Sequence, residues 1–407
     1  MRAGAFGTAV RQALACAALA LALALAGCGG GPRVGVLEPV AALVPGASPE
    51  TIFVATTRQR RDATPAEMFG GARAPSLDYA HLVVSVPPNH KPGELEWPAS
   101  AKGDPNVSFA TLERNFVNDA GFMAGVRKAV QARPPGQRTI LVFIHGYNTT
   151  FDEAVYRLAQ IVHDSGFKGV PVLFTWPSKG ALLDYPYDRE SAVYSRDDLE
   201  ATLRQLARQS GATQVDLLAH SMGNMLTMET MRQAAIRGDG RFGGKLGQVM
   251  LAAPDIDIDV FRKQLSVIAP LKLPITVFVS RDDKALKVSQ FVWGGQRAGA
   301  FVVSDPEMAE RLRASNITVY DLSDIKTSDD LNHGKFAASP QVVQLIGRRL
   351  ASDNGIATRG PGLGEGVMML GTKLGSTIGG AAGTVVGAPA SILAGESPTS
   401  VLENVVR

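Results

Sequence analysis

The stretch "QVDLLAHSMGNML", Gln214–Leu226, joins an apolar, strand-like run to a helix-like run through Ala-His-Ser-Met-Gly. A serine in such a tight strand-to-helix turn exposes its hydroxyl, and the N–H groups that follow it converge on one point in front of a helix N-terminus. The pentapeptide fits the G-x-S-x-G pattern of a nucleophile turn, with Ala219 in place of the first glycine and Gly223 as the last. We therefore predict that Ser221 is a nucleophile, which requires a base and an oxyanion site nearby.

On both sides of this stretch, apolar runs alternate with amphipathic runs. Helix-period segments such as "FDEAVYRLAQIVHDSG" and "RDDLEATLRQLARQSG" separate apolar runs that are rich in β-branched residues. Strands that are apolar on both faces and separated by helices favour an α/β fold with a mostly parallel sheet, covered by helices on both faces. We predict about seven or eight strands, the first two of them antiparallel, at "TIFVATTR", "YAHLVVSV", "TILVFIHG", "PVLFTWPS", "QVDLLAHS", "QVMLAAPD", "ITVFVSRD" and "ITVYDLSD".

The partners of a serine in this turn come from later strand ends, in the order serine, acid, histidine. His333, in "LNHGKF", is the only histidine after Ser221, and we predict it as the general base. Two acids follow a strand in "VFVSRDDKAL"; the spacing to the next leucine favours Asp283, with Asp282 as the alternative. The stretch "APDIDID" offers a second place for the acid, at Asp255, Asp257 and Asp259.

The stretch "LVFIHGYNTTFDEA" is a buried strand followed by a polar turn and a helix. We predict that the N–H of Tyr147 in this turn and the N–H of Met222 form the oxyanion hole. Gly146 would let the backbone come close and Asn148 would brace the turn. His145, which precedes the nucleophile, is interpreted as structural.

The motifs "HGYN", "AHSMGN", "SRDDKAL" and "NHGKF", in this order, resemble the α/β-hydrolases of the lipase and esterase superfamily. "FVATTR", "VSVPPNHKPGELEWP" and "FTWPS" resemble a largely uncharacterised bacterial branch with many predicted lipoproteins. The resemblance covers about Thr51 to Leu350. It implies the α/β-hydrolase fold, serine chemistry on a small-molecule or lipid ester, and no cofactor. Neither a metal-ligand set nor a phosphate-binding loop is present in the sequence.

The first 27 residues have the pattern of a secretory signal peptide. Arg2 and Arg11 precede a short Ala/Leu run and small residues, and the last four positions before and at Cys28 resemble a bacterial lipobox, which implies an acylated Cys28. We predict a lipidated tether at 28–50, a catalytic domain at 51–352, and a lipid-anchored protein of the cell envelope that faces the periplasm or the exterior. In bacterial lipoproteins, an Asp directly after the acylated cysteine is linked with retention in the inner membrane. Here that position is Gly29, which favours the outer membrane.

The charge balance implies no nucleic-acid partner. The 407 residues are 45% hydrophobic and 19% charged, with a formal net charge of +3. Without the two arginines of the signal peptide this falls to about +1, and no basic patch with interleaved aromatic residues is visible.

The tail at 353–407 is rich in glycine, and Gly371, Gly375, Gly379, Gly383 and Gly387 recur at every fourth position. On a helix this spacing forms a stripe of small residues along which membrane helices associate. The tail is therefore either a flexible segment or a membrane-inserted, self-associating helix over Leu374–Gly395. A spanning helix would usually stop in the inner membrane, which conflicts with the prediction from Gly29.

Two further alternatives remain open at this level. The body could be a non-catalytic envelope scaffold, or it could be an acyltransferase or amidase that uses the same three side chains. "KGALLDYPYDRESAVYSRDDLE" lies where a cap over the pocket is expected; its apolar side chains would line the pocket or pack onto the body, namely Leu182, Leu183, Tyr185 and Tyr187.

Overall fold

The computed structural model describes residues 35–61, 66–300, 312 and 315–351, and the backbone of 367–369 and 376–377. Its strands are β1 (Ser48–Arg60), β2 (Phe69–Val86), β3 (Ala110–Val117), β4 (Thr139–Ile144), β5 (Val170–Thr175), β6 (Gln214–His220), β7 (Leu246–Ala252), β8 (Ile275–Val279), β9 (Ile317–Asp321), β10 (Val367–Met369) and β11 (Ser376–Thr377). Its α-helices are α1 (Asp119–Gln131), α2 (Phe151–Ser165), α3 (Tyr185–Tyr194), α4 (Arg196–Gln209), α5 (Met222–Ile236), α6 (Ile258–Ile268), α7 (Lys284–Trp293), α8 (Lys335–Ala338) and α9 (Pro340–Ala351).

The strands form one sheet in the order β11-β10-β9-β8-β7-β6-β4-β5-β1-β2-β3. All pairings from β1–β5 across to β9–β10 are parallel, whereas β2 pairs with β1 and with β3 in antiparallel fashion. The predicted α/β fold, its mostly parallel sheet and the antiparallel first pair are confirmed. Strand β3 was not predicted, because it is an edge strand that carries charged residues such as Glu113 and Arg114.

The central strands are buried on both faces, as their continuous apolar runs predict. Every residue of β5 and β7 is buried, and hydrophobic clusters cover the two faces of the sheet. Helix α2 shows how local signals define one covering element. Thr150 and Glu153 form a capping box at its start, and Gly166, with φ 67°, ends it in the left-handed conformation.

The order in which successive strands are added to the sheet reverses at β4. Strand β5 lies on one side of β4, and β6, which follows it in the chain, lies on the other. In open α/β sheets the crevice at the carboxyl ends of strands flanking such a reversal is where ligands bind. The end of β4 and the turn after β6 are therefore brought together at the position that the fold favours for a site.

The folded body begins earlier than residue 51, so the predicted tether is too long. The side chains of Val36 and Leu37 are fully buried, the hydroxyl of Tyr156 donates to the Val36 carbonyl at 2.8 Å, and Val40 N–H donates to Thr111 O at 2.8 Å. These apolar residues gain by packing against α2 and the edge strand β3, which composition alone did not reveal.

Most of the predicted tail lies outside the described residues, as do the signal peptide and Cys28. The described parts of the tail, Val367–Met369 and Ser376–Thr377, are strands, so Ser376 and Thr377 are not helical. Glycine-rich sequence has low helix propensity, and the edge of β9 offers backbone partners to β10 instead. Among the described helices, none is both long and apolar enough to cross a bilayer.

Candidate active site

Ser221 forms the turn between β6 and α5. Its backbone has φ 52° and ψ −122°, a conformation that is unfavourable for a residue with a side chain and that is found at strained functional turns. Ser221 N–H donates to Ala252 O at 2.9 Å, and the side-chain amide of Asn224 donates to the carbonyls of both Ser221 and Ala252. The strained turn is thus tied to the end of the neighbouring strand β7.

Two glycines let the turn approach the end of β4. A Cβ at Gly223 would overlap the carbonyl oxygen of His145, and a Cβ at Gly146 would lie 2.9 Å from the Cβ of Ser221. Ala219, which replaces the first glycine of the pattern, is fully buried between β4 and β7 and is accommodated there. The backbone at Gly146 therefore directly abuts the Ser221 side chain.

His333 is hydrogen-bonded to Asp283. Nδ1 of His333 lies 2.7 Å from Oδ2 of Asp283, and Oδ1 of the same carboxylate accepts the Leu286 N–H at 2.9 Å at the start of α7. Asp283 is fully buried, and 18% of the His333 side chain is exposed. Burial lowers the pKa of His333, but the charge and hydrogen bond of Asp283 outweigh it, so that the pKa is raised above its ordinary value.

The adjacent Asp282 has a different partner. Its two carboxylate oxygens lie 2.7 and 2.8 Å from Nζ of Lys335, which also donates to Leu322 O at 3.0 Å. Burial opposes ionisation of Asp282, but the contacts with Lys335 and Ser280 prevail and its pKa is lowered. The two consecutive aspartates thus bind two nearby residues: Asp283 binds His333, and Asp282 binds Lys335 at the start of α8.

The other acids considered as alternatives are engaged elsewhere. Asp255 accepts the hydroxyls of Tyr185 and Ser289, each at 2.8 Å. Asp257 caps the N-terminus of α6, and Asp259 pairs with Arg262 at 2.8 Å, in keeping with helix-start positions.

His145 lies in the interior behind the turn at the end of β4. Its Nε2 accepts the Trp176 N–H at 3.2 Å, so its proton is on Nδ1, which donates to Gly146 O at 2.8 Å. The ring stacks on Trp176 with centroids 4.9 Å apart. Burial, and next the charge of Arg58, lower the pKa of His145 well below its ordinary value. A neutral, fully engaged imidazole fits the structural role predicted for it.

The turn after His145 is held at the backbone of Asn148. Asn148 has φ 54°, and its N–H donates to Oδ2 of Asp188 at 3.3 Å. Its side-chain Oδ1 is buried without a hydrogen-bond partner among the described residues. Tyr147 follows Gly146, whose backbone abuts the Ser221 side chain. Met222 is the first residue of α5, so its N–H has no acceptor within the helix.

Several residues that shape the site were not predicted from the sequence. Nε2 of His220 donates to the carbonyl oxygen of His333 at 3.2 Å, and the His220 ring stacks on Phe336. Burial lowers the pKa of His220 well below its ordinary value, so this histidine is neutral. His220 lies at a variable position of the turn pattern, and Arg58 appeared only within "FVATTR", so neither carried a signal of its role.

The cap segment places one aromatic residue against Tyr147. Tyr185 lies with its ring centroid 5.0 Å from that of Tyr147 and 5.2 Å from that of Trp293. Leu183 is 90% exposed, and the Tyr187 hydroxyl donates to Gly71 O at 3.1 Å, so these two do not line a pocket with Tyr185. Beside this aromatic group is a groove of about 440 Å³, lined by apolar residues such as Val193, Met225, Val260 and Trp293 and by the charged residues Arg189, Glu190, Arg196 and Glu229.

Three solved structures that are weakly similar to this chain are described as esterases. A brefeldin A esterase, described as a bacterial homologue of human hormone-sensitive lipase, has 13% identity over 78% of this chain and 81% of its own, with a TM-score of 0.35. An esterase of Rhizomucor miehei has 12% identity over 75% and 83%, with a TM-score of 0.32. The carboxylesterase CesB of Bacillus subtilis has 10% identity over 74% and 90%, with a TM-score of 0.27. Scores this low carry no information on activity.

No curated protein sequence is similar enough to this chain to count as a match. The profile of the family described as "Alpha/beta hydrolase of unknown function (DUF900)" matches residues 123–349, which include β4 to β9 and Ser221, Asp283 and His333. This match covers more than half of the chain. The chain therefore belongs to this family of α/β hydrolases.

Proposed function

We propose that the protein is a serine hydrolase of carboxylic esters, with Ser221 as nucleophile, His333 as general base and Asp283 as the acid that orients it. The observation that carries the proposal is the 2.7 Å hydrogen bond from His333 Nδ1 to the buried Asp283 carboxylate, on a loop that His220 links to the strained turn of Ser221. A non-catalytic scaffold has no need for a buried aspartate–histidine pair on a loop attached to such a serine turn, which argues against that alternative.

In the proposed first step, Ser221 Oγ attacks the ester carbonyl carbon while Nε2 of His333 takes the hydroxyl proton. The tetrahedral intermediate collapses, the C–O bond to the alcohol breaks, and the imidazolium returns the proton to the leaving alkoxide. Water then attacks the acyl-enzyme with the same base, which releases the acid and regenerates Ser221. Asp283 stabilises the imidazolium and keeps the proton of neutral His333 on Nδ1.

The oxyanion of each intermediate would accept the N–H groups of Tyr147 and Met222. The position of Gly146 against the Ser221 side chain and the location of Met222 at the start of α5 support this role. The positive end of the helix adds to the stabilisation of negative charge there. The contact between the aromatic rings of Tyr147 and Tyr185 supports an apolar acyl or aryl group on a small-molecule or lipid ester.

The test uses the full-length protein, purified in detergent, with a fluorophosphonate probe and p-nitrophenyl acetate. We expect the probe to label Ser221, as shown by peptide mapping, and Ser221→Ala to lower kcat/KM by at least about 10³-fold. The matched control is Ser85→Ala, which removes a buried hydroxyl without a partner among the described residues and should leave activity unchanged. A folded wild-type protein that neither reacts with the probe nor hydrolyses the ester would refute the proposal.

We also propose that the protein is tethered in the cell envelope through acylated Cys28, with the membrane as its partner. The lipobox-like sequence supports this proposal. Cys28 precedes the buried Val36 by eight positions, so at ~3.5 Å per residue the anchor would keep the body within about 28 Å of the bilayer. Incorporation of a palmitate analogue in cells, lost in Cys28→Ser, tests the proposal; equal incorporation in both proteins would exclude Cys28 as the site.

A further inference from the structure

The guanidinium of Arg58 lies in the interior beneath the turn that follows β4. Arg58, near the end of β1, is 1% exposed. Its Nε donates to Thr175 Oγ1 at 2.8 Å, Nη1 donates to the carbonyls of Ser178 at 2.8 Å and Gly70 at 3.1 Å, and Nη2 donates to Thr149 O at 2.7 Å. A rigid planar fork with several donors is required to serve acceptors from so many chain segments.

Arg58 contacts the turn on both sides of the predicted oxyanion donor. Nη2 reaches Thr149 O on one side and lies 3.4 Å from His145 Nε2 on the other. His145 in turn holds Gly146 O through its Nδ1 proton. The Tyr147 N–H lies between these two attachment points, so its direction depends on the position of the guanidinium.

Asp188, in α3, holds the same turn through a separate set of hydrogen bonds. Its fully buried carboxylate accepts the N–H groups of Asn148 at 3.3 Å and Lys179 at 2.9 Å, and the Ser178 hydroxyl at 2.5 Å. Burial lowers the pKa of Arg58 to about 10, and the charge of Asp188 acts against that effect, so Arg58 stays protonated at neutral pH. The buried side chains of Arg58 and Asp188 thus both hold the turn.

We propose that Arg58 is a positioning residue of the oxyanion hole, and that it acts by fixing the peptide that carries the Tyr147 N–H, with Asp188 as its counterpart. This inference rests on the function proposed above. Arg58 does not touch the substrate. A donor held in place before reaction stabilises the oxyanion more than the neutral carbonyl, so the effect belongs to the transition state.

The experiment compares Arg58→Lys with wild type. Lysine keeps the charge but cannot span four acceptors, so kcat/KM for p-nitrophenyl acetate, normalised to active sites titrated with fluorophosphonate, should fall by about 10²-fold. The affinity for an aryl trifluoromethyl ketone, whose adduct with Ser221 carries the oxyanion, should fall in parallel. The midpoint of the acid limb of the pH profile should not change, because Asp283 and His333 are untouched.

The matched control is Arg60→Lys, on the same strand. Arg60 also forms a two-point hydrogen bond, to Asp78 at 2.7 and 2.9 Å, but its side chain is 35% exposed and lies away from the turn. The normalised kcat/KM of Arg60→Lys should equal that of wild type. If Arg58→Lys does not fold, Asp188→Asn, which removes the opposite charge, should lower normalised kcat/KM instead.

Hydrogen exchange of the resting protein provides a readout that does not depend on activity. The peptide spanning 145–150 should exchange faster in Arg58→Lys than in wild type, while the peptide around His333 should not change. Equal exchange and equal normalised kcat/KM would overturn the inference, as would a loss of activity that disappears on normalisation to active sites. A wild-type protein without esterase activity would refute the proposed function, and the exchange data would still decide whether Arg58 orders the turn.

Discussion

Nδ1 of His333 lies 2.7 Å from Oδ2 of Asp283, the second of two consecutive aspartates, while the first, Asp282, binds Lys335. The two pairs join the same two loops side by side, and Lys335 is 1% exposed. A buried ammonium between a carboxylate and two backbone carbonyls fixes the loop that carries His333. The two aspartates therefore have separable effects.

We expect Asp283→Asn to lower kcat by about 10³–10⁴-fold, because the amide no longer stabilises the imidazolium or selects the Nδ1 proton. In wild type, activity should fall as pH decreases through the pKa of His333, which Asp283 raises, since only the neutral ring accepts the serine proton. The acid-limb midpoint of kcat/KM should move to lower pH in Asp283→Asn. Asp282→Asn is the control: its midpoint should stay near that of wild type, and the reverse pattern would make Asp282 the catalytic acid.

Gly146→Ala should lower activity without loss of the fold. The added Cβ would lie 2.9 Å from Ser221 Cβ and 2.8 Å from Nδ1 of His220, so the turn must move away from the nucleophile. A displacement of about 1 Å can cost roughly 10²-fold in rate. Gly136→Ala, where a Cβ meets nothing within 4 Å, should have wild-type kcat/KM. Equal kinetics for the two variants would place Gly146 outside the oxyanion site.

Asp216→Asn should flatten the pH dependence of stability between about pH 4 and 7. Burial raises the pKa of Asp216 to about 7, and its Oδ2 is buried without a partner among the described residues. A folded-state pKa above the unfolded value means that stability is highest below about pH 4 and is lost as pH rises to about 7, at up to ~1.4 kcal/mol per pH unit. Urea unfolding of both proteins across this range measures the difference in slope; parallel curves would contradict the prediction.

His90 should stabilise the fold at low pH and lose this effect as pH rises. Its Nδ1 lies 2.6 Å from Glu96 and its Nε2 2.8 Å from Asp164, so both nitrogens carry protons. Burial lowers its pKa, but the two carboxylates prevail and raise it above the ordinary value. The stabilisation is complete below the unfolded pKa, near 6.5, and disappears as pH rises through the folded pKa.

Thermal unfolding of His90→Gln and wild type between pH 6 and 9 checks this prediction. The difference in free energy of unfolding should shrink as pH rises. The control is His163→Gln. The His163 side chain is 32% exposed, and its contact with Glu50, at 3.3 Å, is longer than either contact of His90. A difference that stays constant over the range would show that His90 does not change its charge there.

Periodicity and spacing by themselves determined the α/β fold, the parallel core of the sheet and the choice of Ser221 and His333 as candidates. Continuous apolar strands, capped helices and one histidine after the serine are local features, and each can be read without knowing the contacts between segments. The edge strand β3 and the packing of Val36 and Leu37 were not predicted. Both depend on contacts with segments that are distant in the sequence, and the local pattern does not indicate those contacts.

Tertiary structure alone decided how the charges are paired. Asp282 and Asp283 are chemically identical neighbours, and only the path of the loop from Leu331 to Lys335 gives one to Lys335 and the other to His333. Arg58 follows two threonines in an ordinary strand, yet folding places its guanidinium under a turn that lies about ninety positions later in the chain. Such pairings depend on distances between side chains from separate segments, and a linear sequence does not contain those distances.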